Sequence, residues 1–363
     1  MKNRKIIFEN GQSFLGIGFG ANVDTVKEVV FNTSMVGYQE IFSDPSYFGQ
    51  IVCMTYPLIG NYGLIDDDYE TPRPFIGGFI VREYNDHPSN YNYTKTLDES
   101  LKEHGIPGIF GIDTRQITGL IRSRNNIHAL MTSCNVTVER GLEIINSTEK
   151  IKNHVKNVSS SKAWHSRSAN FEYTVIIIDC GVKYNVIRSL KKRKCNVFIV
   201  PHDTDFKKIL ALQPDGVLIS NGPGDPKDNP CVIETIKNLQ GKLPILGICL
   251  GHQLIALANG GSTCRMRFGH RGGNHPVREI SNGKIEMTSQ NHSYAVEKTS
   301  LSGTKICLTH ENILDGEIEG IEIKGEDTFS VQYHPESAPG PQDSSYLFDR
   351  FIEKMRNKKR IHR

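Results

Sequence analysis

Short apolar runs alternate with amphipathic stretches through the second half of the chain. Residues 175–180, 196–201, 216–220 and 244–249 are almost continuously apolar. That pattern suits strands buried on both faces of a parallel sheet. The stretches near 183–194, 203–213 and 229–240 carry helical periodicity and connect them. Strand and helix in alternation predict an open, doubly wound, mostly parallel sheet with helices on both faces. The first half reads differently. Residues 5–9, 50–54 and 75–81 predict short strands, while 98–104 and 114–124 predict helices, the second with Asp113 as N-cap. Residues 151–171 are polar, include Ser159-Ser-Ser161 and have little periodicity, which predicts a linker. The expected organisation is therefore α/β throughout: a mixed α/β domain over 1–150, the linker, a doubly wound domain over 172–356 and a basic tail over 357–363.

Ligands in doubly wound folds bind beyond the carboxyl ends of the strands. Two of the predicted strands end in chemistry there. Pro244-Ile-Leu-Gly-Ile-Cys-Leu-Gly-His-Gln253 places Cys249 between glycines, with a helix-forming segment directly after it. Such glycines allow a sharp strand-to-helix turn that lifts a nucleophile clear of the sheet. A thiol at a helix N-terminus also ionises more readily than a free one. The same pattern fits a buried core cysteine equally well, so a partner base decides the matter. Ser330-Val-Gln-Tyr-His-Pro-Glu336 supplies one: a strand running into a turn, with His334 and Glu336 two apart and able to face one side. Cysteine, histidine and a carboxylate form the set that acyl transfer needs. Gly216-Val-Leu-Ile-Ser-Asn-Gly-Pro-Gly-Asp-Pro226 is a second strand ending in a glycine turn. Gly222 and Gly224 can present backbone N–H groups to a small ligand there, although an ordinary tight turn has the same composition.

Ser220-Asn-Gly-Pro-Gly-Asp-Pro226, Gly247-Ile-Cys-Leu-Gly-His-Gln253 and His334-Pro-Glu336 resemble the three signatures of the class I (triad) glutamine amidotransferases. Further motifs narrow the resemblance. Phe31-Asn-Thr-Ser-Met-Val-Gly-Tyr-Gln-Glu40, Asp44-Pro-Ser-Tyr47, Thr55-Tyr-Pro57, Ile59-Gly-Asn-Tyr-Gly63, Phe268-Gly-His-Arg-Gly-Gly-Asn-His-Pro276 and Gln290-Asn-His292 resemble the small, glutamine-hydrolysing subunits of carbamoyl-phosphate synthases. The likeness runs from about residue 5 to about residue 355.

That resemblance implies Cys249 as nucleophile, His334 as base and Glu336 as its orienting acid. It implies contacts to L-glutamine from Ser46, Gly222, Gly224, Leu250, Gln253, Asn291, Ser293 and Tyr294. It implies a heterodimer with a large synthetase subunit that receives ammonia through a tunnel. That subunit consumes ATP, with Mg, and bicarbonate to make carbamoyl phosphate for arginine and pyrimidines. Two positions depart from the family pattern. Ser293 stands where glycine often follows Asn-His, which raises the question of its φ angle. Cys180 replaces an aromatic residue and carries no functional weight.

Composition limits the alternatives. With 363 residues there is room for two domains, and 37% hydrophobic with 23% charged residues suits a soluble globular protein. A net charge of +3 gives no case for nucleic acid. The run Lys191-Lys-Arg-Lys194 reads as a solvated helix end, and Asn357-Lys-Lys-Arg360 as a frayed terminus. No apolar stretch reaches the ~20 residues that span a bilayer. The N-terminus reads as a strand rather than a signal peptide. Eight scattered cysteines without a Cys-x-x-Cys pair suit a reducing compartment and no zinc site. Bacterial cytoplasm fits, as does a plastid stroma for a plastid-encoded chain. His270 and His275 are expected to be loop contacts rather than metal ligands. No phosphate-binding Gly-x-x-x-x-Gly-Lys-[Ser/Thr] run is present, so no nucleotide cofactor is expected on this chain. The remaining rivals are another class I amidotransferase, a free-standing glutamyl hydrolase or peptidase, and a non-catalytic docking or regulatory subunit.

Overall fold

A computed structural model describes residues 2–124 and 126–361. The chain divides into two compact units, Met1–Ile151 and Lys152–Arg363.

The strands of the first unit are β1 (Arg4–Phe8), β2 (Ser13–Gly20), β3 (Thr25–Asn32), β4 (Gln50–Met54), β5 (Leu58–Ile59), β6 (Gly78–Ile80), β7 (Glu83–Tyr84), β8 (Pro107–Phe110) and β9 (Ile127–Ser133). Its helices are α1 (Tyr38–Ser43), α2 (Leu97–Glu103), α3 (Thr114–Ser123) and α4 (Val138–Ser147). Seven of the strands close into a barrel in the order β1-β2-β8-β6-β4-β3-β9. Closure removes exposed sheet edges, which a set of strands this short would otherwise leave open. Asp113 caps α3 as expected, its side chain accepting from the Gln116 N–H. Thr96 and Glu99 form a reciprocal capping box on α2.

In the second unit the strands are β10 (Trp164–Ser166), β11 (Tyr173–Asp179), β12 (Cys195–Pro201), β13 (Gly216–Ile219), β14 (Ile245–Ile248), β15 (Thr263–Glu279), β16 (Ile285–Val296), β17 (Ile306–Asn312), β18 (Ile318–Ile323) and β19 (Thr328–Val331). The helices are α5 (His154–Val158), α6 (Tyr184–Lys192), α7 (Phe206–Ala211), α8 (Pro230–Leu239), α9 (Leu250–Ala258) and α10 (Tyr346–Ile361). All ten strands form one sheet, ordered β10-β12-β11-β13-β14-β19-β18-β17-β15-β16. The central run from β12 to β19 is parallel. Beyond it the sheet continues through antiparallel pairings that the apolar runs alone did not reveal.

Alternation along β11 explains the layering. Val175 and Ile177 face α6 and α10, packing with Val186, Leu190, Phe348 and Phe351. Ile176 and Ile178 face the opposite layer, with Ile209 of α7, Val232 and Ile236 of α8 and Leu254 of α9. Both faces are apolar because both are covered.

Two expectations are corrected. The stretch 151–171 is not a free linker: it forms α5, whose Val155 is buried, and the edge strand β10, antiparallel to β12. Its few apolar residues are the ones that dock, which a composition average conceals. The basic run Asn357-Lys-Lys-Arg360 is not a loose tail but the last turns of α10. Lys359 pairs with Asp215 at 2.8 Å and lies over the Tyr173 ring, and Lys358 bonds the Gly241 carbonyl. Residues 362–363 lie outside the described residues.

Gly251 shows how closely α9 is packed on the sheet. A Cβ there would lie 2.2 Å from the Ile219 carbonyl oxygen, which is backbone and cannot rotate away. Gly251→Ala is expected to lower stability by about 1–3 kcal/mol, the range for overpacking a tight contact. Urea denaturation followed by circular dichroism measures it, and an unchanged midpoint would contradict this packing.

Candidate active site

Three adjacent parallel strands, β13, β14 and β19, run in the same direction, with Ile219 beside Gly247 and Ile248 beside Val331. Their carboxyl ends therefore deliver the Gly222–Gly224 turn, Cys249 and the His334 segment to one edge of the sheet. This is the arrangement that the motif spacing predicts.

Cys249 is the pivot. Its backbone sits at φ 55, ψ −103, a left-handed conformation that costs a residue with a Cβ about 1–3 kcal/mol. The surroundings hold it there. The Cys249 N–H bonds the Val331 carbonyl at 2.9 Å, continuing the ladder from the neighbouring strand. Gly247 and Gly251 let the helix close against the strand, since a Cβ on Gly247 would come within 2.6 Å of Ile255. Cys249 is the N-cap of α9 and Leu250 its first residue. The Leu250 N–H is consequently one of those a helix leaves unpaired at its start.

His334 Nδ1 lies 2.7 Å from Glu336 Oε1, and both side chains are buried. The same oxygen accepts from Lys183 Nζ at 2.9 Å, and Lys183 also bonds the Ser337 carbonyl at 2.6 Å. Asn185 donates to the Glu336 carbonyl. Burial opposes charge on Glu336, but Lys183 and His334 outweigh it and hold the carboxyl down at about 2. Burial likewise opposes charge on His334. The Glu336 carboxylate, with a smaller push from Cys249, overcomes both that and the Lys183 charge, raising the imidazole to about 10. His334 Nε2 is buried with no hydrogen-bond partner among the described residues, and the ring feels the Cys249 sulfur. An imidazole oriented through one nitrogen, with the other free beside a thiol, can take and return a proton.

The expected ligand contacts gather around this pair. Asn291, Ser293 and Tyr294 lie on β16, and the Asn291 carbonyl is 3.6 Å from Cys249 Sγ. Gln253, one turn into α9, donates to the Tyr294 carbonyl at 2.8 Å. Gly224 has φ +88, and a Cβ there would strike His154 of α5 at 2.7 Å; one on Gly222 would strike the Cys180 carbonyl at 2.1 Å. Both positions require glycine for space. Ser293 is not among the residues with positive φ, so serine is unstrained there. Its hydroxyl accepts from Arg271. Ser46 belongs to the first unit, buried in a turn where its N–H bonds Asp44 Oδ1 at 2.8 Å.

Lys183 and Gln332 went unnoticed in the sequence. Each had a signal. Lys183 is a charged residue just past the carboxyl end of β11, where ligands bind. Gln332 precedes His334 by two, so strand alternation puts both on one side. His270, on β15, is more than a loop contact. His270 pairs with Asp315 at 2.7 Å, and burial notwithstanding, Asp315 and Glu319 raise it to about 9. His270, His292 and Glu319 also bring ligand-capable atoms within 4.8 Å of one another. Both nitrogens of His292 are already engaged, with the Tyr294 carbonyl and Gln290 Oε1, and His270 is itself the cation of the group.

The buried charges set a pH window. Glu336 is depressed, so its contribution is full above its ordinary value of 4.5 and is lost as pH falls toward about 2. His334 is raised, so its contribution is full below its ordinary 6.5 and is lost as pH rises through about 10. Lys183→Met is expected to cost about 3 kcal/mol at neutral pH, because it leaves Glu336 with one cation instead of two. The further loss of stability between pH 4.5 and about 2 should then be smaller than in the unmodified chain, because the Glu336 carboxyl is less depressed. Guanidinium titrations between pH 3 and pH 8 test both points, and overlapping stability curves would show that Lys183 does not hold Glu336.

Known proteins resemble this chain in both of its halves. The model of the carbamoyl-phosphate synthase small chain, CPSase domain, matches residues 6–131. The model of class-I glutamine amidotransferases matches residues 176–354. A carbamoyl phosphate synthase small chain of Listeria monocytogenes is 49% identical over 99% of this chain and 98% of its own length. A carbamoyl phosphate synthase pyrimidine-specific small chain of Bacillus subtilis is 50% identical over 96% of this chain and 95% of its own. A carbamoyl phosphate synthase small chain of Fusobacterium nucleatum is 48% identical over 98% and 99%. Two domain matches in the expected order, and likeness along nearly the whole length of each relative, place this chain in the carbamoyl-phosphate synthase small chain family.

Proposed function

We propose that this chain hydrolyses L-glutamine and delivers the ammonia to a large synthetase subunit that makes carbamoyl phosphate. The observation that carries the reading is the oriented pair at one sheet edge: a strained, buried Cys249 and an imidazole held through Nδ1 by Glu336. A side-chain amide is a poor electrophile and needs a strong nucleophile. His334 takes the thiol proton through Nε2, and the Cys249 sulfur attacks the glutamine carbonyl carbon. The oxyanion that forms is met by the Leu250 N–H and one from the Gly222–Gly224 turn. His334 then protonates the departing ammonia, and water cleaves the thioester to release glutamate. Gln253, Asn291, Ser293 and Tyr294 would hold the rest of the substrate.

In this reading the first unit docks the large subunit, because a glutaminase needs no barrel of its own. ATP with Mg and bicarbonate belong to the large subunit, and no cofactor is assigned to this chain. The carbamoyl phosphate would serve pyrimidine and arginine synthesis. Pyrimidine supply draws support from the name of the Bacillus subtilis relative. No helix among the described residues is long and apolar enough to cross a membrane. The bacterial relatives favour the cytoplasm as its place of work.

Cys249→Ser is expected to abolish glutamine-dependent carbamoyl phosphate synthesis while added ammonia still supports it in the complex. Retained glutamine-dependent synthesis would remove Cys249 from the mechanism. His334→Asn should damage thioester formation more than Glu336→Gln, since orientation is part of the acid's effect and proton transfer the whole of the base's. The reverse order in single-turnover assays would reverse the roles. The isolated chain should hydrolyse glutamine slowly, and large subunit with ATP and bicarbonate should accelerate it. Equal rates with and without the partner would exclude coupling.

A further inference from the structure

Gln332 is wholly buried just past the end of β19, on the way to His334, and its backbone N–H bonds the Glu319 carbonyl at 2.9 Å. Its side chain lies between Gln253 and Cys249. Amide nitrogen and oxygen are told apart only by their partners, and here the partners decide. The Tyr294 carbonyl can only accept, so the Gln253 nitrogen faces it at 2.8 Å. A second hydrogen of that nitrogen points to Gln332 Oε1 at 3.0 Å. The Gln332 amide is thereby fixed with its oxygen toward Gln253 and its nitrogen toward Cys249 Sγ, at 3.6 Å.

A second neighbour of the sulfur is the Asn291 carbonyl, also at 3.6 Å. A carbonyl can accept a thiol proton but repels a thiolate. Once His334 has removed that proton, a donor is required to hold the sulfur. We propose that Gln332 is a further catalytic residue: its Nε2–H stabilises and aims the Cys249 thiolate, and its Oε1 keeps Gln253 turned for substrate. This rests on Cys249 being the nucleophile. Among the described residues, the titratable group coupled to the sulfur is His334, with Glu336 and Lys183 behind it. One chain of hydrogen bonds, Tyr294–Gln253–Gln332–Cys249, then links recognition to the nucleophile. A misplaced substrate that disturbs Gln253 also disturbs the sulfur.

The test is the pH dependence of iodoacetamide alkylation at Cys249, followed on its own peptide by mass spectrometry in the full chain. Steady-state glutamine hydrolysis with the large subunit is measured in parallel. Gln332→Met keeps the volume but neither hydrogen bond. Gln332→Glu keeps an acceptor for Gln253 and places an anion beside the sulfur. Losing a hydrogen bond to an ionised group should raise the alkylation midpoint by about one pH unit or more in both variants. KM for glutamine should rise about tenfold in Gln332→Met and less than about threefold in Gln332→Glu, where Gln253 keeps its partner. Should Gln332→Met fail to fold, as judged by thermal melting, the midpoint of Gln332→Glu decides. An alkylation midpoint unchanged in the folded variants overturns the role of Gln332 while leaving the nucleophile in place. Wild-type protein that still hydrolysed glutamine after complete alkylation of Cys249 would overturn the nucleophile, and this role with it.

Discussion

The site depends on one turn, from β14 into α9 at Cys249. Its backbone is held where a side chain is disfavoured. The cost is met by packing on both sides of the sheet: Cys249 joins the apolar layer under α6 and α10, and Leu250 the layer under α9 and α8. Such strain persists only where the surroundings over-determine it. Gly247 and Gly251 are part of that determination, because the helix could not come so close over larger residues. The turn also fixes the helix start, and with it the unpaired N–H groups beside the sulfur.

Around this turn the protein buries an unusual amount of charge. One oxygen of Glu336 is shared by Lys183 and His334, all three groups sheltered from water. Buried ion pairs seldom add net stability over apolar packing of the same volume. Their presence is better explained by what they do to the imidazole. With Nδ1 committed to Glu336, the tautomer and the ring angle are set, and Nε2 is left for the thiol. Lys183 has an opposing effect: it keeps Glu336 ionised yet lowers the affinity of His334 for a proton. In the proposed mechanism His334 both takes and returns a proton, and such a base benefits from that balance.

The two units serve different ends by different means. The first closes seven short strands into a barrel, and Val30, Val52 and Phe79 of those strands share one apolar cluster with Tyr38 and Phe42 of α1. The second keeps an open sheet, whose carboxyl-end rim is where ligand chemistry is possible. The family match assigns the barrel to the small chain specifically, whereas the open sheet is common to class-I amidotransferases.

Much of the second unit was legible from residues alone. Continuous apolar runs marked β11 to β14, because strands covered on both faces need no polar side. Glycines flanking Cys249 marked the turn, because close approach of helix to strand admits nothing larger. His334 and Glu336 were legible as a pair, because alternation aims residues two apart to one side. Tertiary structure decided the rest. The antiparallel extension through β15 to β18 was hidden, since its strands are only half-apolar and paired by long-range register. The stretch 151–171 read as a linker because its average is polar, yet a single Val155 and three edge residues suffice to dock it. Barrel closure could not be read from short strands, which close or splay according to their neighbours. Lys183 lies 153 positions from Glu336 in the chain, and Gln332 83 from Cys249. Sequence identifies which residue types are able to do chemistry; only the folding of the sheet determines which of them meet.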